Sequence, residues 1–220
     1  MKAWALGLAL ATSVAAGAAH AATVSGTFMI DIYNYDAGHN SAEASATELN
    51  ISSHTKLTTI TYTGALDFKT DTASGAPSIA EFLNTGSGSY TVPVGVDLSS
   101  YTLSRGAGSG DNQFGTTTLF DIKATAFNAI VSGTGMISHD DGMTFFDDNV
   151  ETASSAGPTT QITTPFTFDG GSFRLIYAAA NGDPSVLHVE GTVVPLPATA
   201  LLLLSGLAGL LAMTGLRKRA

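Results

Sequence analysis

The sequence contains no cysteine, which excludes disulfide scaffolds, thiolate zinc sites and thiol catalysis together. Charge is also scarce, with Asp, Glu, Lys and Arg making up 12% of 220 residues. Coiled coils and helical bundles are built from Glu, Lys, Arg and Leu, so this scarcity argues against both. Positive charge is the rarer sign: nine Lys and Arg stand against eighteen Asp and Glu, for a formal net charge of -9. A generic nucleic-acid binder needs a basic face to displace counterions from phosphate, so no nucleic-acid partner is expected. What the chain has in quantity is glycine, 24 residues, together with much Ser and Thr. Its length gives room for one sizeable domain or two small ones with a proper core.

The two ends read as addresses rather than fold. Met1-Lys2 is a short basic start, and Ala3 to Ala19 runs without a charge through Leu6, Leu8, Leu10 and Val14. Ala19-His20-Ala21 then offers small side chains at the spacing signal peptidase requires, so residues 1–22 are expected to be a secretory signal peptide. At the other end, Ala198 to Leu216 is uncharged. As a helix it would span roughly 28 Å, enough for a hydrocarbon core of about 30 Å. Arg217-Lys218-Arg219 follows and would hold that end in the cytoplasm. Lys2 and these three residues are four of the nine basic residues, while all eighteen acids lie between Asp31 and Glu190. The expected exported part, residues 23–193, is therefore strongly acidic, which suits high solubility and divalent cations.

Val194-Pro195-Leu196-Pro197-Ala198 stands directly before the apolar span. Its two prolines remove backbone donors and keep the approach extended, as a processing enzyme binding an extended strand would need. Proline motif, span (198–216) and basic tail (217–220), in that order over residues 194–220, resemble the PEP-CTERM sorting signal in its VPLPA-CTERM variant. The resemblance implies an exosortase-type membrane transpeptidase as partner, a transient membrane anchor, and delivery to the cell surface or an extracellular exopolysaccharide matrix.

Between the ends, strand patterns dominate. Val24, Gly26, Phe28, Ile30 and Ile32 alternate with Ser25, Thr27, Met29 and Asp31; Thr58, Ile60 and Tyr62 do so in a Thr-rich run, followed by Leu66 and Phe68. Val92, Val94, Val96 and Leu98 continue the period, as do Phe120 and Ile122, Phe166 and Phe168, Phe173, Leu175 and Tyr177, and Leu187, Val189 and Val193. A period of two in Thr, Val, Ile and Phe predicts half-buried antiparallel strands, and clusters such as Asp36–Asn40 and Asn181–Pro184 predict turns. One helix is predicted, opened by Pro77 and Ser78, with Ile79, Phe82 and Leu83 on one face. The fold class is all-β: an antiparallel two-sheet sandwich of jelly-roll type with one short helix.

The densest polar signal is His139-Asp140-Asp141-Gly142-Met143-Thr144-Phe145-Phe146-Asp147-Asp148-Asn149. Carboxylates at this density repel one another, and a hard cation such as calcium, taking six to eight oxygens, would relieve that repulsion. Asp-Gly steps are also ordinary hairpin turns whose acids are solvated, and composition alone favours that reading.

The stretch from Ile137 to Val189, through Asp140-Asp141-Gly142, Phe145-Phe146-Asp147-Asp148, Gly171-Ser172-Phe173 to Tyr177, and Asn181-Gly182-Asp183, resembles the second half of the protective-antigen-type lectin-like domain of flocculin adhesins. That resemblance implies that Asp140 and Asp141 hold calcium across a cis peptide. It implies a further ligand from the later hairpin, Asn181 or Asp183, and coordination of vicinal sugar hydroxyls beside Asp140, Asp141, Asp147 and Asp148. Calcium is thus the expected cofactor and polysaccharide the expected ligand.

Catalysis is not expected. His39, His54, His139 and His188 form no His-x-His or His-x3-His pair, there is no Gly-x-Ser-x-Gly elbow, and adjacent carboxylates do not readily flank one glycosidic bond. The alternatives to a sugar-binding matrix protein are a structural matrix component without a site and an exported hydrolase.

Overall fold

The computed structural model describes residues 20–70, 76–106, 114–127 and 133–193. The expected signal peptide up to residue 19, the motif Val194–Ala198, the apolar span and the basic tail all lie outside the described residues. Among the described residues no helix is long and apolar enough to cross a membrane. His20–Val193 forms one unit by its internal contacts.

Among the described residues twelve strands make two antiparallel sheets, as the alternation predicts. In chain order they are β1 (His20–Thr23), β2 (Ser25–Asp36), β3 (Thr58–Ala65), β4 (Asp67–Lys69), β5 (Ser89–Thr91), β6 (Thr116–Phe127), β7 (Gly133–Asp140), β8 (Met143–Asp147), β9 (Val150–Ser155), β10 (Ile162–Phe168), β11 (Phe173–Ala179) and β12 (Val186–Val193). One sheet has the order β1-β12-β7-β10, with β4 also on β12; the other has the order β5-β3-β2-β6-β11-β8-β9. β1 spans the expected cleavage position and pairs with β12, His20 opposite Val193 and Thr23 opposite Glu190.

The core fills the space between the sheets. Phe28, Ile30, Ile32, Ile60, Tyr62, Phe120, Ile122 and Leu175 face Phe68, Ile137, Phe166, Phe168, Leu187 and Val189 in one buried cluster. Phe145 of the seven-stranded sheet stands 4.6 Å from Phe166 of the other, centroid to centroid. Tilted aromatic contacts of this kind add to plain area burial.

The predicted helix is α2, below, and it closes one end of this core: Ile79–Thr85, with Ile79, Phe82 and Leu83 buried. Ser78 Oγ accepts from Glu81 N, and the Glu81 side chain accepts from Ser78 N, a capping box that satisfies two orphan donors. A second short helix, α1 (Glu48–Ser53), precedes it in the chain and has no apolar stripe. Thr47 caps it, accepting from Asn50 N.

The alternation at Val92–Leu98 does not make a strand. β5 ends at Thr91, Val94 is fully exposed, and a 3-10 turn follows at Leu98–Ser100. Pro93 lacks a ladder donor, Gly95 adopts φ +90°, and Val96 N donates to Pro93 O at 3.3 Å. These are the marks of a tight turn with glycine at its third position.

Candidate metal centre

β7 ends at Asp140 and β8 begins at Met143, so Asp140, Asp141 and Gly142 form the corner where the chain passes from one sheet to the other. The Asp140–Asp141 peptide is cis, as the resemblance implies. Asp141 N donates to Ala178 O at 3.2 Å, and Ala178 N donates to Gly142 O at 2.9 Å, tying the corner to β11. The buried Tyr177 hydroxyl donates to Asp140 O at 2.6 Å. Residue 142 must be glycine, because a Cβ there would lie 1.9 Å from Ala156 O.

Both carboxylates are buried, Asp141 with 1% of its surface exposed and Asp140 with 8%. Asp141 Oδ2 accepts from Ala180 N at 2.7 Å, and Oδ1 from Asn181 Nδ2 at 3.3 Å. No basic side chain of the described residues faces either acid. Burial pushes Asp141 up to about 8; the Ala180 N–H opposes this, the Asp140 charge adds to it, and the Thr159 N–H opposes it. Burial pushes Asp140 up to about 6 against the pull of the Gln161 N–H. Two buried acids that resist ionisation, with no cation beside them, form a pair that a divalent ion would complete.

His139 sits beneath the corner with no exposed surface. A carbonyl only accepts, so its Nδ1–H donates to Asp141 O at 2.5 Å, and its Nε2 accepts from the Thr164 hydroxyl at 2.8 Å. Both ring nitrogens are thereby occupied. Burial holds this imidazole below its usual range, the Asp141 carbonyl acting the other way. Its task is to orient the Asp141 backbone.

The expected ligands from the later hairpin separate. Asn181, at φ +56°, meets Asp141. The Asp183 carboxylate instead accepts from Thr70 Oγ1 at 2.8 Å, and Thr70 Oγ1 in turn accepts from Ser185 N at 2.8 Å. Asp183 therefore shapes the loop that presents Asn181. Ser104 Oγ steadies the same loop by donating to Gly182 O at 3.0 Å.

Asp147 and Asp148 are not brought to this corner. They lie at the far end of β8, Asp147 as its last residue and Asp148 just beyond, roughly 20 Å along the strand from Asp141 at about 3.3 Å per residue. Asp148 and Asn149 both have positive φ, +48° and +63°, and form the two-residue β8–β9 turn between paired Asp147 and Val150. They meet Asp169 of the β10–β11 turn: one carboxylate oxygen from each of Asp147, Asp148 and Asp169 lies within 4.8 Å of the other two. Sequence reading missed Asp169, because nothing in the order of residues shows that these two turns adjoin.

The outer face of the seven-stranded sheet carries the other charge network. Arg174 donates to both Asp121 oxygens, at 2.6 and 3.0 Å, and to Glu48 of α1. Lys123 bridges Asp121 at 2.8 Å and Asp31 at 3.1 Å. These acids are paired with cations, unlike Asp140 and Asp141, and the network fastens α1 to the sheet.

No protein-family model matches the chain, and no curated protein matches it. Solved structures similar in backbone include two PA14 domains. One is a PA14 sugar-binding domain from an RTX adhesin, with 16% identity and a TM-score of 0.45, the match covering 76% of this chain and 90% of that one. The other is the PA14 domain of the antifreeze protein MpAFP, with 14% identity and a TM-score of 0.44, covering 79% and 84%.

Proposed function

We propose that this chain is an exported cell-surface or matrix protein whose sandwich binds polysaccharide through a calcium ion held by Asp140, Asp141 and Asn181. The observation that carries the reading is the buried Asp140–Asp141 pair, beside which no basic side chain stands among the described residues. The ion's ligands would be hard oxygens: the two carboxylates, and the Asn181 amide oxygen once that amide turns over, since its Nδ2–H now donates to Asp141. A bound calcium ion supplies open coordination positions for vicinal sugar hydroxyls. In this reading Asp140, the less deeply buried of the two acids, would accept from such a hydroxyl, while Asp141 is anchored by Ala180 N–H. The features at the two ends of the sequence support export and sorting through Val194–Ala198 by an exosortase-type enzyme. The reading is of a binding protein, not an enzyme.

A second reading, a structural matrix component, draws on the depth of Asp141, which no sugar could touch directly. Glycan-array binding by the full chain separates the two. Binding is expected in calcium, lost in a chelator, and lost in Asp141→Asn. No binding to any glycan, the producer's own exopolysaccharide included, would leave the structural reading.

A further inference from the structure

The turn at the opposite end of β8 has a feature that the sugar-site reading does not use. Asp147 has 7% of its surface exposed, and its Oδ1 is buried without a hydrogen-bond partner. Its Oδ2 accepts from Asp169 N at 2.7 Å, which aims the carboxylate at the β10–β11 turn. There it confronts the carboxylates of Asp169 and Asp148. Ionised carboxylates only accept, so a buried oxygen without a partner, on a side chain beside two further carboxylates, costs free energy until a proton or a cation enters the cluster.

The geometry points to a second calcium-class cation site, held by Asp147, Asp148 and Asp169 and joining the β8–β9 turn to the β10–β11 turn. Calcium binds oxygens at about 2.3–2.6 Å, so two ligands on one ion lie no more than about 5.2 Å apart. The 4.8 Å limit on the three carboxylates satisfies this. Asp148 and Asp169 are exposed, so water can fill the remaining positions. Gly171 lets the turns close: a Cβ there would lie 2.4 Å from the Asp148 carboxylate. Ser172 N donates to Asp148 Oδ1 at 2.6 Å and Asp148 N to Ser172 O at 3.1 Å, so the two turns are joined around the acids. The ion would lock one end of the sandwich, apart from the Asp140–Asp141 corner.

The test is calcium titration calorimetry on the chelator-stripped full chain in detergent, comparing wild type, Asp169→Asn, Asp147→Asn and Asp141→Asn. Asp169→Asn, an exposed position, is expected to fold and to lose one class of calcium site that Asp141→Asn keeps. It should also melt higher than wild type in chelator, because one repelling charge has gone, and gain less on calcium addition. Unchanged stoichiometry and affinity in Asp169→Asn would overturn the proposal, whether or not Asp147→Asn folds. Loss of sites in Asp141→Asn alone would do the same while leaving the sugar-site reading intact.

Discussion

Asp141 and Asp31 show how one residue type takes opposite roles. Asp31 is pulled up by burial, but the Thr59 hydroxyl at 2.5 Å, Lys56 at 3.0 Å and Lys123 outweigh that and hold it below the ordinary carboxylate range. Asp141 has only N–H donors and is pushed the other way. A carboxyl with a raised folded pKa makes the native state bind more protons than the unfolded chain, so stability falls as pH climbs. For Asp141 the fall runs from the ordinary carboxylate range, about 4, up to about 8. A depressed group such as Asp31 contributes above that ordinary range and loses its contribution as pH drops through it. The chelated full chain is therefore expected to melt highest in mild acid. Asp141→Asn should remove the part of the decline above about pH 6, the rest belonging to Asp140, and calcium should reverse it. A melting midpoint that is level from pH 5 to 9 in wild type would show that Asp141 is not held in this way.

At the scale of elements, the two helices differ in what announces them. α2 has its apolar face at i, i+3 and i+4 and a proline–serine start, so its position follows from spacing and capping. α1 has neither: its buried residue is Asn50, whose Nδ2 donates to Ala42 O, Ser45 O and Glu43 O at 2.7, 2.8 and 3.1 Å, while Leu49 points to solvent. Hydrogen bonds to loop carbonyls hold it, and these leave no periodicity to read. The segment that leads into it, through Ala46, covers the outer face of β8, which is buried on both faces. Thr144 Oγ1 donates to Ala46 O at 2.7 Å, and Phe146 packs in a small outer cluster with Tyr33, Ala46, Leu119 and Ile176. Ser78→Ala removes one half of the α2 capping box and should destabilise the chain by about 1 kcal/mol, read as a lower denaturant midpoint at unchanged slope. A neutral result would mean that burial of Ile79, Phe82 and Leu83 alone holds that helix.

For the molecule as a whole, the join between the sheets decides stability. Phe145 enters the opposite sheet's territory, 4.6 Å from Phe166 and 6.4 Å from Phe168, while touching Phe173 of its own sheet at 5.1 Å. Phe145→Ala would open a cavity that strands on both sides cannot easily close. The expected cost is about 3–5 kcal/mol in equilibrium unfolding. A loss below about 1 kcal/mol would show that the sheets do not share this core.

Alternation of apolar side chains was enough to identify most strands and the sandwich class, because each strand has one face in the core and its neighbours in sequence carry that period. It failed at Val92–Leu98, where Pro93 and Gly95 turn the chain although the apolar spacing continues. The corner at Asp140–Asp141 was legible as a dense acidic signal beside a glycine, and Asn181 through resemblance. Tertiary structure decided what the acids face. It turned Asp183 toward Thr70, put Asp147 and Asp148 at the far end of β8, and brought Asp169 to them from 21 residues away. The physical reason is that periodicity records burial along one strand, whereas a carboxylate's partners come from turns of other strands, whose adjacency is fixed only when the two sheets pack.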